Sequence, residues 1–140
     1  MEFREYTSLP DDAVSIRTEV FMDEQGFRDE FDDTDQEALH FVLYTDDGDA
    51  AGVCRTFTDQ ATGEGIIGRL AVRKQYRGRG FGKLIITEAE ERLAGRGVRS
   101  VRLHAQTYAR GFYESLGYEA FGEEEYEEHV PHIWMRKNLR

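Results

Sequence analysis

Polar and apolar residues along this chain recur with two periods, and the switches between them divide it into strands and helices. Glu2 to Thr7 alternates polar with apolar (Phe3, Tyr6), the pattern of a strand with one buried face. Pro10, Asp11 and Asp12 suit a helix start. Ala13, Ile16, Val20 and Phe21 carry helical spacing on to Gln25, and Gly26 ends it. Phe27 to Ala38 is dense in acid, has no period, and reads as a loop. Leu39–Tyr44, Ala51–Phe57 and Ile66–Val72 are apolar runs separated by the turn signals Asp46–Asp49 and Asp59–Gly65, which predicts an antiparallel meander.

The second half changes period again. Phe81, Ile85, Ala89 and Leu93 fall four apart, with Leu84 alongside, so a helix runs to Ala94 and stops at Gly95–Gly97. Val98–Leu103 alternates as a strand. It closes a strand–helix–strand unit whose two strands are parallel. Ala105, Ala109, Phe112 and Leu116 mark a short helix capped by Gly117. Tyr118–Phe121 starts a strand, Glu123–His129 reads as an acidic loop, and Pro131–Lys137 is the last strand. This order predicts one α+β domain over residues 1–140, a mixed, mostly antiparallel sheet with helices on both faces in three layers.

Composition narrows the class. Nine Phe and seven Tyr within 39% apolar residues supply a core. No apolar run reaches the roughly 18 residues of a membrane span, and Met1–Glu5 has no signal-peptide core, so a cytoplasmic protein without a membrane partner is expected. The net charge is −10, from 28 acidic and 18 basic residues. That argues against a nucleic-acid partner and suits a cationic substrate such as an amine. The bland alternative is a solvated acidic surface, including one adapted to high salt. Cys54 stands alone, which excludes an internal disulfide and a cysteine zinc site, and its strand setting marks a small core residue rather than a nucleophile. His40, His129 and His132 lack zinc-ligand spacing. A calcium loop counted from Asp33 has Ala38 where it needs glycine. No metal is expected.

The candidate chemistry begins at Gln75-Tyr76-Arg77-Gly78-Arg79-Gly80-Phe81-Gly82-Lys83, a basic, glycine-rich turn between a strand and a helix. Glycines let backbone approach a ligand, and a helix start offers free N–H groups with partial positive charge, so this turn suits phosphate. Two nucleotide motifs fail. Gly78 and Gly82 are too close for a Walker A loop, and Leu84 replaces its hydroxyl; Lys83 stands where a dinucleotide fingerprint needs its third glycine.

Arg77-Gly78-x-Gly80-x-Gly82 after a strand resembles the coenzyme A pyrophosphate loop of the GNAT superfamily of acyl-CoA N-acyltransferases. Phe112-Tyr113-Glu114-x-x-Gly117-Tyr118 is similar to a second signature of that family, in the same order along the chain. Arg17-x-x-Val20-Phe21-x-x-Glu24-Gln25, Gly68–Val72 and Pro131-His132-Ile133 resemble its ElaA-like branch. The resemblance covers nearly the whole chain. It implies a GNAT fold with a splay between the fourth and fifth strands, and acetyl transfer from acetyl-CoA directly to a primary amine of a small molecule or peptide.

What it implies for residues is specific. Leu70, Ala71 and Val72 would pair with the pantetheine arm, and a backbone N–H, that of Leu70, would polarise the thioester carbonyl. Arg77, Gly78, Arg79, Gly80, Phe81, Gly82 and Lys83 would hold the pyrophosphate. Tyr113 maps onto the family's general acid, although a tyrosine beside Phe112 on a short helix also reads as core. An attacking amine needs a base, and His104, Glu24, His40, Glu64 and His132 are candidates, with His104 and Glu24 foremost. His132 equally suits orienting a substrate. Arg17, Arg55 and Arg69 sit on expected secondary structure. They read either as ion pairs with Glu24, Asp33 or Asp35, or, for Arg17 and Arg69, as forks for a substrate anion. Homodimers through the C-terminal strands also follow from the family. Two other functions are open: an acyl-homoserine-lactone-synthase-like transfer, to which Arg17, Phe21, Asp33, Asp35 and Arg55 bear a likeness, and a non-catalytic acyl-CoA sensor.

Overall fold

A computed structural model describes residues 1–139. Seven strands form one sheet: β1 (Glu2–Tyr6), β2 (Leu39–Tyr44), β3 (Ala50–Thr58), β4 (Gly65–Val72), β5 (Ser100–Gln106), β6 (Glu119–Glu127) and β7 (Val130–Asn138). Their spatial order is β1-β2-β3-β4-β5-β7-β6. All neighbours are antiparallel except β4 and β5, the parallel pair joined through α3 (Phe81–Gly95).

Both faces of β2 to β4 are covered, which is why those strands read as unbroken apolar runs. Phe41, Leu43 and Ile67 face α3, where Ile85, Ile86, Ala89 and Leu93 complete the larger core with Leu103 and Met135. Val42, Val53 and Ala71 face the other way, onto Ala13, Ile16, Val20 and Phe21. The helix expected from Asp11 to Gln25 is two segments. α1 (Asp11–Arg17) is regular; Thr18–Glu24 widens to π geometry, with the Gln25 N–H bonded to the Val20 carbonyl at 3.2 Å. The acidic loop after it contains one short helix, α2 (Thr34–Glu37).

Three expected boundaries move at the C-terminal end. β5 starts later and runs to Gln106, so the helix expected from Ala105 begins at a 3₁₀ turn (Thr107–Ala109) and continues as α4 (Arg110–Ser115). Glu123–Glu127, expected as loop, belongs to β6. That strand is at the sheet edge, and from Glu123 to Tyr126 its side chains are exposed on both faces, so no apolar alternation marks this part. A glutamate-rich edge also discourages pairing with a second chain.

The expected splay is present. β4 and β5 pair only at Gly65↔Val101 and Ile66↔Arg102. Beyond that point β5 follows β7 as far as Gln106↔His132, while β4 stays with β3. β4 also carries a bulge inside the opening. Gly68 pairs with Arg55 and Ala71 with Val53, so Arg69 and Leu70 together face Cys54. Arg69 has φ 55°, a left-handed conformation that costs a residue with a Cβ about 1–2 kcal/mol.

Candidate active site

The splay has a phosphate-suited mouth. Gly78 and Gly80 have φ 79° and 80°, and a Cβ on either would meet nothing within 4 Å, so the turn faces open space. After Arg77, the next backbone N–H with a protein acceptor is that of Leu84, 3.1 Å from the Gly80 carbonyl; those of Gly78 to Lys83 have none among the described residues. They lie just before and within the first turn of α3, at its positive end. Lys83 is exposed, and Arg79 sits over the Tyr76 ring, 5.6 Å from its centroid. Gly82 has a different task. A Cβ there would come within 3.3 Å of Phe112, so the missing side chain lets α4 pack against the first turn of α3.

Arg77 and Glu24 are brought together, though sequence reasoning gave them separate roles. The Arg77 guanidinium forks onto the Glu24 carboxylate at 2.9 and 2.8 Å, and its Nε donates to the Val72 carbonyl at 2.9 Å. The Arg77 hydrogen bond holds the Glu24 carboxyl below its usual range, which suits an ion-pair partner better than a base. His40 and Glu64 are also engaged. His40 is buried against the Asp35 carbonyl at 2.9 Å, and burial pushes its imidazole pKa down. Glu64 binds Arg102 at 2.9 Å and Arg136 at 2.8 Å.

His104 has the remaining arrangement. It is on β5, in the stretch that β4 has left. The β5–β7 register sets it opposite Trp134, with which it stacks at 4.6 Å, and beside His132 at 5.0 Å. Its Nδ1 bonds the Glu127 carboxylate. Its Nε2 is buried without a hydrogen bond among the described residues, 3.4 Å from a Glu125 oxygen. The His104 bond keeps the Glu127 carboxyl below its usual range, against the effect of burial. His132 is fixed by its Nδ1, 2.9 Å from the Val130 carbonyl, with Nε2 3.9 Å from Glu127. Sequence reasoning missed Glu127, because its segment read as loop; only the pairing Glu125↔His132 shows that Glu125 and Glu127 share a face with His104.

Tyr113 is 9% exposed and packs edge-on to Phe112 at 5.0 Å and Tyr118 at 5.9 Å. It belongs to the core cluster that includes Cys54, the residue opposite the β4 bulge. Burial, with Cys54 and Tyr108 adding to it, pushes the phenol pKa up, and no hydrogen bond contributes to that shift.

The arginines form a buried network. Arg17, 1% exposed, donates to Glu30 at 2.8 Å and to both Asp35 oxygens at 2.8 and 3.1 Å. Arg55 binds Asp32 at 2.7 Å and Asp35 at 2.9 Å. Arg69 binds the Glu30 carboxylate at 2.8 Å and the Glu30 carbonyl at 3.0 Å. For Arg17 this geometry supports the structural alternative over a fork for substrate, since Nε, Nη1 and Nη2 all have partners; Arg69 has Nε and Nη2 engaged. The partners differ from those expected: Asp35 takes part, Glu30 and Asp32 replace Glu24 and Asp33.

Among the described residues no helix is long and apolar enough to cross a membrane. A family model described as an acetyltransferase (GNAT) domain matches residues 7–139. The chain is 35% identical over 133 residues to the uncharacterized N-acetyltransferase YjcF of Bacillus subtilis, covering 91% of each. A crystal structure of a candidate N-acetyltransferase from Lactobacillus plantarum superposes with TM-score 0.89 at 31% identity, over 99% of this chain and 98% of that one. Escherichia coli ElaA shares the fold at TM-score 0.85 and 24% identity, over 97% and 98%. The signature turn, the splay and these matches agree: the chain belongs to the GNAT acetyltransferase family and is an acyl-CoA-dependent acyltransferase.

Proposed function

We propose that this protein transfers an acetyl group from acetyl-CoA directly to a primary amine of a small molecule or peptide in the cytoplasm. The observation that carries this reading is the opening between β4 and β5 beyond Ile66↔Arg102, with Gly78–Lys83 following β4 and His104 on the stretch of β5 that β4 has left. The residues present fit coenzyme A. The free N–H groups of the turn and Lys83 bind its pyrophosphate, and Leu70, Ala71 and Val72 extend the sheet to its pantetheine arm. When bound, coenzyme A supplies an acyl thioester.

The chain's own groups then act on the two protons. With its Nδ1–H donated to Glu127, His104 holds a lone pair on Nε2, and this takes a proton from the attacking amine once the exposed Glu125 side chain beside it swings aside. The amine nitrogen bonds the carbonyl carbon, and the Leu70 N–H stabilises the negative charge developing on the carbonyl oxygen. The carbon–sulfur bond breaks, and the Tyr113 hydroxyl donates its proton to the departing sulfur. The raised phenol pKa keeps that proton in place across neutral pH. His132 and Trp134 line the acceptor side. Initial rates with both substrates varied test direct transfer: intersecting reciprocal plots are expected, and parallel lines, with acetyl retained on the protein, contradict it.

Glu24→Gln separates the two roles offered for that residue. The pair with Arg77 is exposed, 43% and 31%, so breaking it changes stability by under about 1 kcal/mol. Freed from its carboxylate, Arg77 turns to phosphate, and the coenzyme A Kd falls by about 2–5-fold, the equivalent of an exposed pair. Titration calorimetry reads this. A collapse of kcat with unchanged Kd would make Glu24 the base instead.

A further inference from the structure

A strained residue occupies the middle of β4. Arg69 has a left-handed φ of 55° where the strand bulges, the conformation that glycine usually takes at such a bulge. The next residue is Leu70, whose N–H has the oxyanion role in the reading above, and this inference rests on that reading. Something must hold Arg69 against its backbone preference. Its side chain points to the loop before α2 and is bonded there at several points. Nε is 2.8 Å from the Glu30 carboxylate, Nη2 is 3.0 Å from the Glu30 carbonyl, and Nη2 is 3.3 Å from Asp32.

Glu30 is itself fixed. It is 4% exposed, and the same carboxylate oxygen that meets Arg69 accepts from Arg17 Nε at 2.8 Å. Arg17 is rooted in α1, and Asp35 holds its other end at 2.8 Å. A continuous chain of ion pairs therefore runs from α1 through Glu30 to the one residue of β4 with a left-handed backbone. The network uses more buried charge than a surface loop requires, since burying ions is costly unless they are paired throughout.

We propose that Glu30 is a positioning residue for the acyl transfer: by clamping the Arg69 guanidinium it keeps the β4 bulge in the geometry that aims the Leu70 N–H into the splay. Glu30 touches no reacting group. Its effect is on kcat, through the backbone of the two residues that face Cys54.

Two changes at position 69 isolate backbone from side chain. Arg69→Ala and Arg69→Gly both lose the clamp, but glycine adopts a left-handed φ freely and alanine does not. Thiol release from acetyl-CoA is measured for both and for Glu30→Gln, with backbone chemical shifts of residues 68–71 recorded as a readout of φ. Arg69→Ala and Glu30→Gln are expected to lower kcat and shift those resonances. Arg69→Gly is expected to retain kcat about 5–30-fold above Arg69→Ala, the ratio set by the left-handed cost of a Cβ. Equal kcat for the glycine and alanine variants, or shifts at 68–71 unmoved in Arg69→Ala, overturns the proposal. A native protein that releases no thiol with any amine overturns the transfer reading and the catalytic half of this inference, while the shifts still decide the clamp.

Discussion

Replacing Tyr113 by Phe is expected to lower kcat by about 10²–10⁴-fold while leaving coenzyme A affinity and thermal stability unchanged. The ring is what packs. It meets Phe112 and Tyr118 edge-on within the larger core, and phenylalanine keeps both contacts. The ring is buried, the hydroxyl has no hydrogen bond among the described residues, and none contributes to the shift of its pKa, so deleting it strands no protein partner. What is lost is the proton for the departing sulfur, an interaction made only as the bond breaks, and such a loss appears in kcat rather than in binding. Steady-state thiol release with calorimetric coenzyme A binding checks both halves. Unchanged kcat would return Tyr113 to a purely structural role. A coenzyme A-binding sensor would show binding with no turnover in either form.

The second large effect is on stability. Asp35→Ala removes the carboxylate that accepts from Arg17 at 2.8 and 3.1 Å and from Arg55 at 2.9 Å. Arg17 and Arg55 are 1% and 6% exposed, so two buried guanidiniums lose a partner at once. Breaking a buried pair from one side costs about 3–5 kcal/mol, against about 0.3–0.5 for an exposed helical pair such as Arg110–Glu114. At about 2–4 °C per kcal/mol the thermal midpoint falls by roughly 6–20 °C, whereas Glu114→Ala barely moves it. Differential scanning calorimetry distinguishes the two.

The same network sets a pH dependence. Burial alone pushes the Asp35 carboxyl up, but Arg17 and Arg55 outweigh it and hold the group well below its ordinary value of 3.8. A depressed carboxyl stabilises the fold fully above its unfolded pKa and loses that contribution as pH falls through the folded value. Glu30 has the opposite sign. Burial raises its pKa despite Arg69 and Arg17, so its contribution is present below the usual carboxylate range and lost as pH rises through its folded value. Below about pH 4 the fall of unfolding free energy with pH is therefore expected to be shallower in Asp35→Ala, on a lower baseline, since it has no depressed Asp35 carboxyl to protonate.

The sheet, α3 and the glycine turn are legible in the sequence because packing on both faces and helical spacing leave direct marks, as in Phe41-Val42-Leu43 and Phe81, Ile85, Ala89 and Leu93. The rest depends on register or on partners distant in sequence. Only the start of β6 is legible, in Tyr118–Phe121; its continuation through Glu123–Glu127 is not, because exposed edge residues need no alternation and the glutamates read as loop. The π segment at Thr18–Glu24 keeps the apolar spacing of an ordinary helix, so nothing distinguishes it until its hydrogen bonds are seen. Arg17 and Arg69 are recognisable as cations that need partners, but which of Asp29 to Asp35 answers them is fixed by the path of the loop, and that path selects Glu30 and Asp32. His104 is separated by 23 residues from Glu127, and their contact exists only because β7 lies between β5 and β6.

The roles proposed for Tyr113, His104 and Glu30 all require that the opening between β4 and β5 receive an acyl-CoA thioester and pass its acyl group to an amine. Thiol release from acetyl-CoA, followed against a panel of amino acids, polyamines, aminoglycosides and peptides, measures it directly. The account predicts release that requires both acetyl-CoA and at least one amine, with the acetyl group recovered on that amine. No release with any acceptor, together with no binding of coenzyme A, would contradict it.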